Sequence, residues 1–236
     1  MRIKKPSRMV AHQDHEQPFV HYYDMHPTEE DLTGESAAQS TFIHYLLSVL
    51  THLFRARPCF IVSNLNIYRH RRRYEYPMAP DIAVFKGISI PNPASREFRS
   101  WRLYEANRPP PQVVFEFSSE ETWQADISKK PARYADLGVR EYIAYDPNAP
   151  PYWPAAMGRL RVWRCTGDRV VEVNADAQGR VWSDELECWL VPDGALLRLM
   201  LPDGRIAPTE AEAERAAREA ARAKLRELGI EMPDEM

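Results

Sequence analysis

The stretch Val113-Val114-Phe115-Glu116-Phe117 decides the fold. Its β-branched and aromatic residues predict a buried β-strand, and the three prolines at 109–111 fix where pairing begins, because proline cannot lie in a central strand. Glu116 is the one charged residue in this apolar pattern. Since an ionised carboxylate there costs several kcal/mol unless it is paired or binds a metal ion, Glu116 is the first candidate for a functional residue.

The residues before this strand predict a helix and two further strands. Apolar residues recur at steps of three and four between residues 35 and 54, which is the pattern of an amphipathic helix. After the break at Arg57-Pro58, residues 59–68 are rich in β-branched and aromatic side chains and predict a strand, and residues 81–85 predict another. We expect these two strands to pair as a hairpin with a long turn.

The residues after Phe117 predict a second helix and a fourth strand. Ser128 is placed as the N-cap of this helix, so that Pro131 lies in the first turn, where its missing N–H would have no partner. Gly138 is a natural left-handed stop before the strand predicted over 141–145. The order is helix, three strands, helix, strand, which is an αβββαβ core of the α/β class.

Beyond Pro154 the pattern changes to short strands separated by turns. The predicted strands are 160–165, 170–174 and 196–200. Glycines and two Pro-Asp-Gly turns, at Pro192 and Pro202, divide this part of the chain. It predicts a small antiparallel β extension over about residues 155–205, within one domain that spans residues 28–205.

The two ends of the chain differ from this domain. Residues 1–27 are polar and lack periodic apolar positions, which predicts an arm on the surface or a partly disordered segment. In the C-terminal segment 206–236, Thr209 with Glu212 has the spacing of a capping box and begins a helix rich in alanine and charge. Because this helix has few large apolar residues, it either pairs with a second copy in a homodimer or stays exposed.

Composition excludes several classes of protein. No stretch reaches the roughly 18 to 20 consecutive apolar residues of a membrane helix, and no apolar run follows the first residues as in a signal peptide, so we expect no membrane partner and a cytoplasmic location. The three cysteines lack the spacing of a zinc site or a disulfide framework. The net charge of −3 argues against a surface coated with phosphate-binding lysines and leaves room for a local basic patch.

The run Arg69-His70-Arg71-Arg72-Arg73 is the candidate for that patch. It lies between two predicted strands, and the guanidinium groups of Arg69, Arg71, Arg72 and Arg73 are suited to contact the phosphates of a nucleic acid. A solvated loop without a ligand is the alternative, and the sequence does not decide between the two.

Asp81 is the second acid with an unusual position. It follows Pro80 at the start of an apolar strand, and strand pairing would bring it close to Glu116. Two carboxylates a few ångströms apart suit Mg²⁺, which retains water and prefers phosphate oxygens as further ligands. The alternatives are a side-chain turn at Asp81 and a structural bridge between Glu116 and an arginine.

Lys130 is the third candidate. Asp126, Lys130 and Tyr134 are spaced at four residues, so those that lie in one helix share a face. A lysine in the first turn faces the positive end of the helix dipole, and a residue placed against its local preference is a functional candidate. The alternatives are a solvated lysine, a capping role for Asp126 and a packing role for Tyr134.

Four ordered segments carry a family resemblance. They are Glu75 to Gly87, which contains Ala79-Pro80-Asp81; Pro111 to Ser119, which contains Glu116; Asp126 to Tyr134, which contains Lys130-Pro131; and Leu137 to Pro147. Together they resemble the PD-(D/E)XK nuclease superfamily, and more closely its Uma2-like branch of restriction-endonuclease type. The likeness spans about residues 27–205, and four segments with consistent gaps are far more specific than the short PD signature alone.

The resemblance implies a restriction-endonuclease-like fold around the αβββαβ core, with the β extension and the C-terminal helix added. It implies Asp81 and Glu116 as metal ligands, with the backbone carbonyl of Phe117 as a third. Where the superfamily has a lysine two residues after the acid, this chain has Ser118. In the Uma2-like branch the lysine lies on the following helix, which assigns its role to Lys130.

The activity implied is an endonuclease reaction on DNA, in which a water activated by Mg²⁺, or by Mn²⁺ in its place, hydrolyses a phosphodiester bond. The predicted neighbours of the site are Ser118, Asp126, Tyr134, Glu35 and Gln39. The alternative is a catalytically silent nucleic-acid-binding or assembly protein that keeps the nuclease fold.

Overall fold

The computed structural model describes residues 19–26, 37–90, 100–167 and 169–228. Its helices are α1 (Ala37–Phe54), α2 (Trp123–Ser128), α3 (Lys130–Leu137) and α4 (Glu210–Glu227), and short 3-10 turns lie at Tyr22–Asp24 and Ala155–Met157. Its strands are β1 (Cys59–Val62), β2 (Asn66–Tyr68), β3 (Ile82–Lys86), β4 (Ser100–Arg102), β5 (Val113–Phe117), β6 (Glu141–Tyr145), β7 (Leu160–Thr166), β8 (Arg169–Val173), β9 (Val181–Ser183), β10 (Cys188–Asp193) and β11 (Leu196–Met200).

A six-stranded sheet in the order β1-β3-β5-β6-β7-β8 forms the centre of the molecule. Strands β5 and β6 are parallel, which requires the crossover through α2 and α3, and the other neighbouring pairs are antiparallel. The order α1, β1, β3, β5, α3, β6 confirms the predicted αβββαβ core. The deciding stretch forms β5 with the predicted bounds, and every residue of β5 is buried.

The prediction of one strand over residues 59–68 is wrong. The chain bends at Asn64, whose φ of 51° lies in the left-handed region that asparagine tolerates. Strand β1 therefore pairs antiparallel with β3, as expected of the hairpin, whereas β2 leaves the sheet and pairs parallel with β4. This small second sheet packs its side chains Ile67 and Trp101 against the central one.

The predicted β extension is divided between two sheets. Strands β7 and β8 continue the central sheet beyond β6, while β9, β10 and β11 form a separate antiparallel sheet. The Pro-Asp-Gly turn predicted at Pro192 lies two residues later, at Gly194 and Ala195, because Pro192 lies within β10 and pairs with Leu197. Proline is tolerated there since β9 pairs only with residues 188–190 and leaves the far end of β10 as an edge.

The predicted helix start at Ser128 is wrong as well. Ser128 ends α2, where its Oγ donates a hydrogen bond to the carbonyl oxygen of Gln124, and Lys129 joins the two helices. Pro131 is the second residue of α3, so its missing N–H leaves no hydrogen bond unmade. Gly138 ends α3 with a φ of 92°, as the sequence predicts.

The central sheet has an apolar core on each face. Helix α1 and the three-stranded sheet cover the face that carries Ile82, Phe115 and Ile143. Helix α3 and the β2-β4 sheet lie on the other face, which carries Ala83 and Val114. Glu116 alternates with Phe115 along β5 and therefore belongs to the α3 face.

The two ends of the described chain add to this domain. The predicted capping box of α4 is present, with Glu212 N donating to Thr209 Oγ1 and Thr209 N donating to Glu212 Oε2, and no residue of α4 is buried. Residues 19–26 of the predicted arm are ordered against the loop that follows β2. Within the described residues, no helix is both long and apolar enough to cross a membrane.

Candidate active site

Strand pairing brings Asp81 and Glu116 together. In the antiparallel register of β3 and β5, Ile82 lies opposite Phe115, and the next step along both strands sets Asp81 opposite Glu116. Because side chains alternate between the two faces of a strand, Asp81 and Glu116 both lie on the face that α3 covers. The position of Asp81 is fixed by the backbone of β5, because Phe117 N donates a hydrogen bond of 2.6 Å to Asp81 Oδ2.

Helix α3 supplies two partners to Glu116, whose side chain is buried. The hydroxyl of Tyr134 donates a hydrogen bond of 2.5 Å to Oε1, and the ammonium of Lys130 lies 3.0 Å from Oε2. Lys130 and Tyr134 are one helical turn apart and reach the same carboxylate, as the shared face predicts.

Asp126 holds the other side of the lysine. Its Oδ1 lies 2.8 Å from Lys130 Nζ, while its Oδ2 accepts hydrogen bonds from Ser118 Oγ at 2.8 Å and Thr122 Oγ1 at 2.9 Å. Its main-chain carbonyl accepts one from Tyr142 at 2.8 Å. Thr122 and Tyr142 are absent from the sequence prediction. The four-residue spacing from Asp126 could have indicated Thr122. No spacing in the sequence indicates Tyr142, because it is distant from Asp126 in sequence and only the pairing of β6 in the sheet brings the two together.

Helix α1 contributes Gln39. Its Nε2 donates a hydrogen bond of 3.1 Å to the backbone carbonyl of Phe117, the oxygen that the family resemblance implies as a metal ligand. This contact places the start of α1 at the site, as predicted. Glu35, the other residue predicted from this helix, lies outside the described residues.

The pKa values of the acidic pair are raised. Burial, followed by the negative charge of Glu116, raises the pKa of Asp81 well above its usual range. Burial also raises the pKa of Glu116, to about 7, although the nearby Lys130 charge acts against this. Burial acts to lower the pKa of Lys130, but the carboxylates of Glu116 and Asp126 overcome it and raise that pKa, so the lysine is charged. The site therefore favours additional positive charge.

The donor set of this site fits a hard divalent cation. Three carboxylates, of Asp81, Glu116 and Asp126, share one ammonium, so two negative charges are left when all four groups are ionised. Oδ1 of Asp81 accepts no hydrogen bond from the described part of the chain. No three His, Cys, Asp or Glu side chains of the described residues are grouped to hold a metal ion by themselves. This arrangement suits Mg²⁺, which is held by one or two carboxylates and retains several waters.

The predicted phosphate-contacting loop is separate from this cluster. Arg69 and residues 71–73 are exposed. Arg69 also lines a cavity of about 690 Å³ together with Asp136 and Gly138, near the end of α3 that lies away from Lys130. The structure therefore brings together every described residue of the predicted catalytic set, but not the arginines.

An acidic pair and a lysine on one face of an αβββαβ sheet define a protein of the restriction-endonuclease-like class. Residues 21–190 match the Uma2 family, described as "Putative restriction endonuclease", and the chain belongs to this family. A solved structure described as a "putative nuclease belonging to DUF820", from Anabaena variabilis, is similar with 17% identity and a TM-score of 0.44, over 64% of this chain and 75% of that one. No curated protein matches the chain significantly.

Proposed function

We propose that this protein is a Mg²⁺-dependent endonuclease that hydrolyses phosphodiester bonds of DNA. One observation carries the proposal: Asp81 and Glu116 face each other beside the Lys130 ammonium, with pKa values raised by burial. Burying two carboxylates beside each other destabilises the fold, and a buried group of two acids and a lysine indicates a functional site. Membership of a family described as "Putative restriction endonuclease" supports the same activity.

Asp81, Glu116 and the carbonyl of Phe117 are the oxygen donors that would hold the cation. A bound divalent cation supplies Lewis-acid polarisation of the phosphate and a water of lowered pKa. Lys130 places an ammonium beside the same carboxylates, where it can orient the attacking water or stabilise the charge that gathers on the phosphate oxygens. Asp126 holds the ammonium in position and Tyr134 fixes the rotamer of Glu116.

Cleavage of supercoiled plasmid tests the proposal. We expect nicked or linear product with Mg²⁺ or Mn²⁺, none with EDTA, and loss of at least about 100-fold in rate for Glu116→Gln. Glu120→Gln is the matched control, because Glu120 is an exposed carboxylate of the loop that follows β5. Calorimetric titration of Mg²⁺ into both variants separates metal binding from catalysis. Cleavage that is undiminished in Glu116→Gln would reject the proposal.

A catalytically silent nucleic-acid-binding protein is the second candidate. The observation in its favour is that none of the guanidinium groups of Arg69 and residues 71–73 forms a salt bridge within the described chain. Binding of labelled DNA without cleavage in Mg²⁺ or Mn²⁺ would select it. The cytoplasmic location and the homodimer remain predictions, and light scattering of the protein with and without residues 206–236 tests the homodimer.

A further inference from the structure

An exposed aromatic cluster shares no residue with the acidic site. It consists of Tyr22, Tyr23, His26, Tyr74 and Tyr76, contributed by the segment 19–26 and by the loop that follows β2. The ring of Tyr22 stacks on His26 with centroids 4.0 Å apart and lies 5.5 Å from Tyr74. Tyr23 contacts Tyr22 at 5.2 Å and Tyr76 at 5.1 Å, both edge to face. Two parts of the chain that are distant in sequence thus form one aromatic surface.

His21 anchors this cluster. Its side chain is fully buried, and its ring stacks on Tyr68 of β2 with centroids 3.6 Å apart. Nδ1 contacts the carbonyl oxygen of Arg72 at 2.9 Å and Nε2 contacts the hydroxyl of Tyr104 at 2.8 Å. The backbone N–H of Tyr22 donates to the carbonyl of Arg73 at 2.8 Å. The segment is therefore held firmly while the tyrosines beside it face solvent.

A second anchor comes from Asp24. Its Oδ2 lies 3.1 Å from a guanidinium nitrogen of Arg102 and accepts a hydrogen bond of 3.1 Å from Ser100 Oγ, with the Asp24 side chain almost fully buried. Both partners belong to β4, which pairs with β2. The aromatic cluster is thus preorganised by the small second sheet, and little conformational entropy is lost when a ligand binds to it.

The tyrosines of the cluster leave much of their surface to solvent. Tyr74 is 68% exposed, Tyr76 40% and Tyr22 36%. Exposed aromatic rings that lie together form an apolar patch, and such patches mark interaction sites when polar residues surround them. The surrounding residues here are arginines: the guanidinium of Arg73 lies 5.6 Å from the Tyr74 ring centroid, and that of Arg71 lies 5.0 Å from the ring of Phe19.

Within the residues that the structure describes, Arg71 and Arg73 form no salt bridge with a carboxylate. Arg57, Arg161 and Arg180 each form a salt bridge with a carboxylate. In the loop 69–76 the one acidic residue is Glu75, and its two carboxylate oxygens accept hydrogen bonds from the backbone N–H groups of residues 69 and 70. No carboxylate of the described residues therefore neutralises the guanidinium groups of this loop, although the whole chain carries a net charge of −3.

Single-stranded nucleic acid fits this combination. Aromatic rings stack on base faces, which are accessible in a single strand and hidden within a duplex, and arginines attract the phosphates between the bases. A protein partner also uses tyrosine and arginine, but the absence of carboxylate partners for this loop within the described chain favours a polyanion. Four residues separate Tyr76 from Asp81, so their Cα atoms lie at most about 17 Å apart.

We propose that the aromatic cluster binds unpaired bases of a nucleic-acid strand whose backbone continues toward the acidic site. The inference deepens the proposed nuclease function, because it names single-stranded DNA, or a single-stranded segment beside a duplex, as the substrate class. The binding itself does not require cleavage, and the two proposals can therefore fail separately.

Fluorescence anisotropy in EDTA measures the binding. The full chain is titrated into three labelled probes of equal length: oligothymidine, an abasic strand with the same number of phosphates, and a duplex. We expect oligothymidine to bind about 5- to 100-fold more tightly than the abasic strand, which corresponds to the stacking of one base. Equal binding of these two strands would overturn the proposal, as would preference for the duplex or binding to none of the probes.

Substitutions in the cluster locate the site. We expect Tyr22→Ala with Tyr74→Ala to weaken binding of oligothymidine by about 5- to 100-fold and to leave binding of the abasic strand within about twofold. The double Phe variant keeps the rings and should bind as wild type does. Tyr152→Ala is the matched control, since Tyr152 is 39% exposed and lies outside the cluster. Unchanged binding by the Ala variant, or equal loss in the Phe variant, overturns the assignment.

Plasmid cleavage by the same variants separates this inference from the proposed function. If Glu116→Gln abolishes cleavage and the tyrosine variants lose oligothymidine binding, both proposals stand. If the wild-type protein does not cleave but the tyrosine variants lose oligothymidine binding, the strand-binding site stands without the nuclease. If the enzyme cleaves and the tyrosine variants bind normally, the nuclease stands without this site.

Discussion

The ammonium of Lys130 lies 3.0 Å from Oε2 of Glu116, and both side chains are buried. The first belongs to α3 and the second to β5, so the ion pair joins helix and sheet at the proposed active site. Nζ of Lys130 also lies 2.8 Å from Oδ1 of Asp126, a residue of α2. One cation therefore compensates two buried carboxylates, and its removal affects both.

Replacing the lysine by methionine should destabilise the protein. Lys130→Met keeps the length of the side chain but leaves Glu116 and Asp126 without their cation, and breaking a buried pair costs about 3–5 kcal/mol. We expect this loss in the free energy of unfolding at pH 8, and a smaller one at pH 5.5, where Glu116 takes up a proton. Urea unfolding followed by circular dichroism measures both. Lys129→Met, at the exposed neighbouring position, is the control, and an equal loss in the two variants contradicts the prediction.

Asp81→Asn should separate stability from metal binding. The amide oxygen can still accept the hydrogen bond from Phe117 N, while the repulsion between Asp81 and Glu116 disappears. Without metal, we expect an unfolding free energy equal to that of wild type or higher by about 1 kcal/mol. The increase in Tm that Mg²⁺ gives the wild type should be absent. Thermal unfolding with and without Mg²⁺ checks this, and a Tm that still rises with Mg²⁺ would remove Asp81 from the ligand set.

Local sequence signals predicted the central part of the fold. Strands β5 and β6 have the bounds that the sequence predicts, because each is an apolar run with a clear start. Prolines 109–111 precede β5, and Gly138 precedes β6. The alternation along β5 also predicted the face of Glu116, and the four-residue spacing predicted that Lys130 and Tyr134 share a helix face, whereas the role of Lys130 beside Glu116 came from the family resemblance. These features depend on neighbours within a few residues, and a single sequence contains them.

Long-range pairing could not be predicted in the same way. That β2 pairs with β4, and that β7 joins the central sheet, depends on which edges are available after the chain has collapsed. The hydrogen bond from Phe117 N to Asp81 and the contact of Tyr142 with the Asp126 carbonyl likewise join residues far apart in sequence. The periodicity of apolar residues along the sequence does not predict which side chain will contact a distant backbone group.

Tyr134→Phe should weaken the site without removing an acid. The substitution deletes the hydroxyl that donates to Oε1 of Glu116, and a hydrogen bond to a charged group contributes about 1.5–3 kcal/mol. Because this hydrogen bond lowers the pKa of Glu116, its loss should raise that pKa further. We expect the acidic limb of the cleavage pH profile to move to higher pH and the rate above the limb to change less. A pH profile identical to that of wild type would show that Tyr134 only packs.

The stability of the metal-free protein should fall as the pH rises toward neutrality. The pKa of Glu116 is raised from 4.5 in the unfolded chain to about 7 in the fold, so between these values the folded state binds more protons than the unfolded state. The unfolding free energy then decreases as the pH rises through this window, by up to about 3 kcal/mol. Above pH 7, Glu116 makes no further contribution to the pH dependence. Asp81, whose pKa is also raised, acts in the same direction.

Divalent metal should reverse this dependence, because a cation bound to Asp81 and Glu116 favours their ionised forms. With saturating Mg²⁺, the unfolding free energy should be constant or rise over the pH range in which the metal-free protein loses stability. Urea unfolding at pH 5, 6, 7 and 8, in EDTA and in Mg²⁺, measures both curves. Glu116→Gln should reduce the fall seen in EDTA without abolishing it, since Asp81 remains. A metal-free protein that gains stability from pH 5 to 7 would contradict the raised pKa values and the strained acidic pair on which the proposed nuclease site depends.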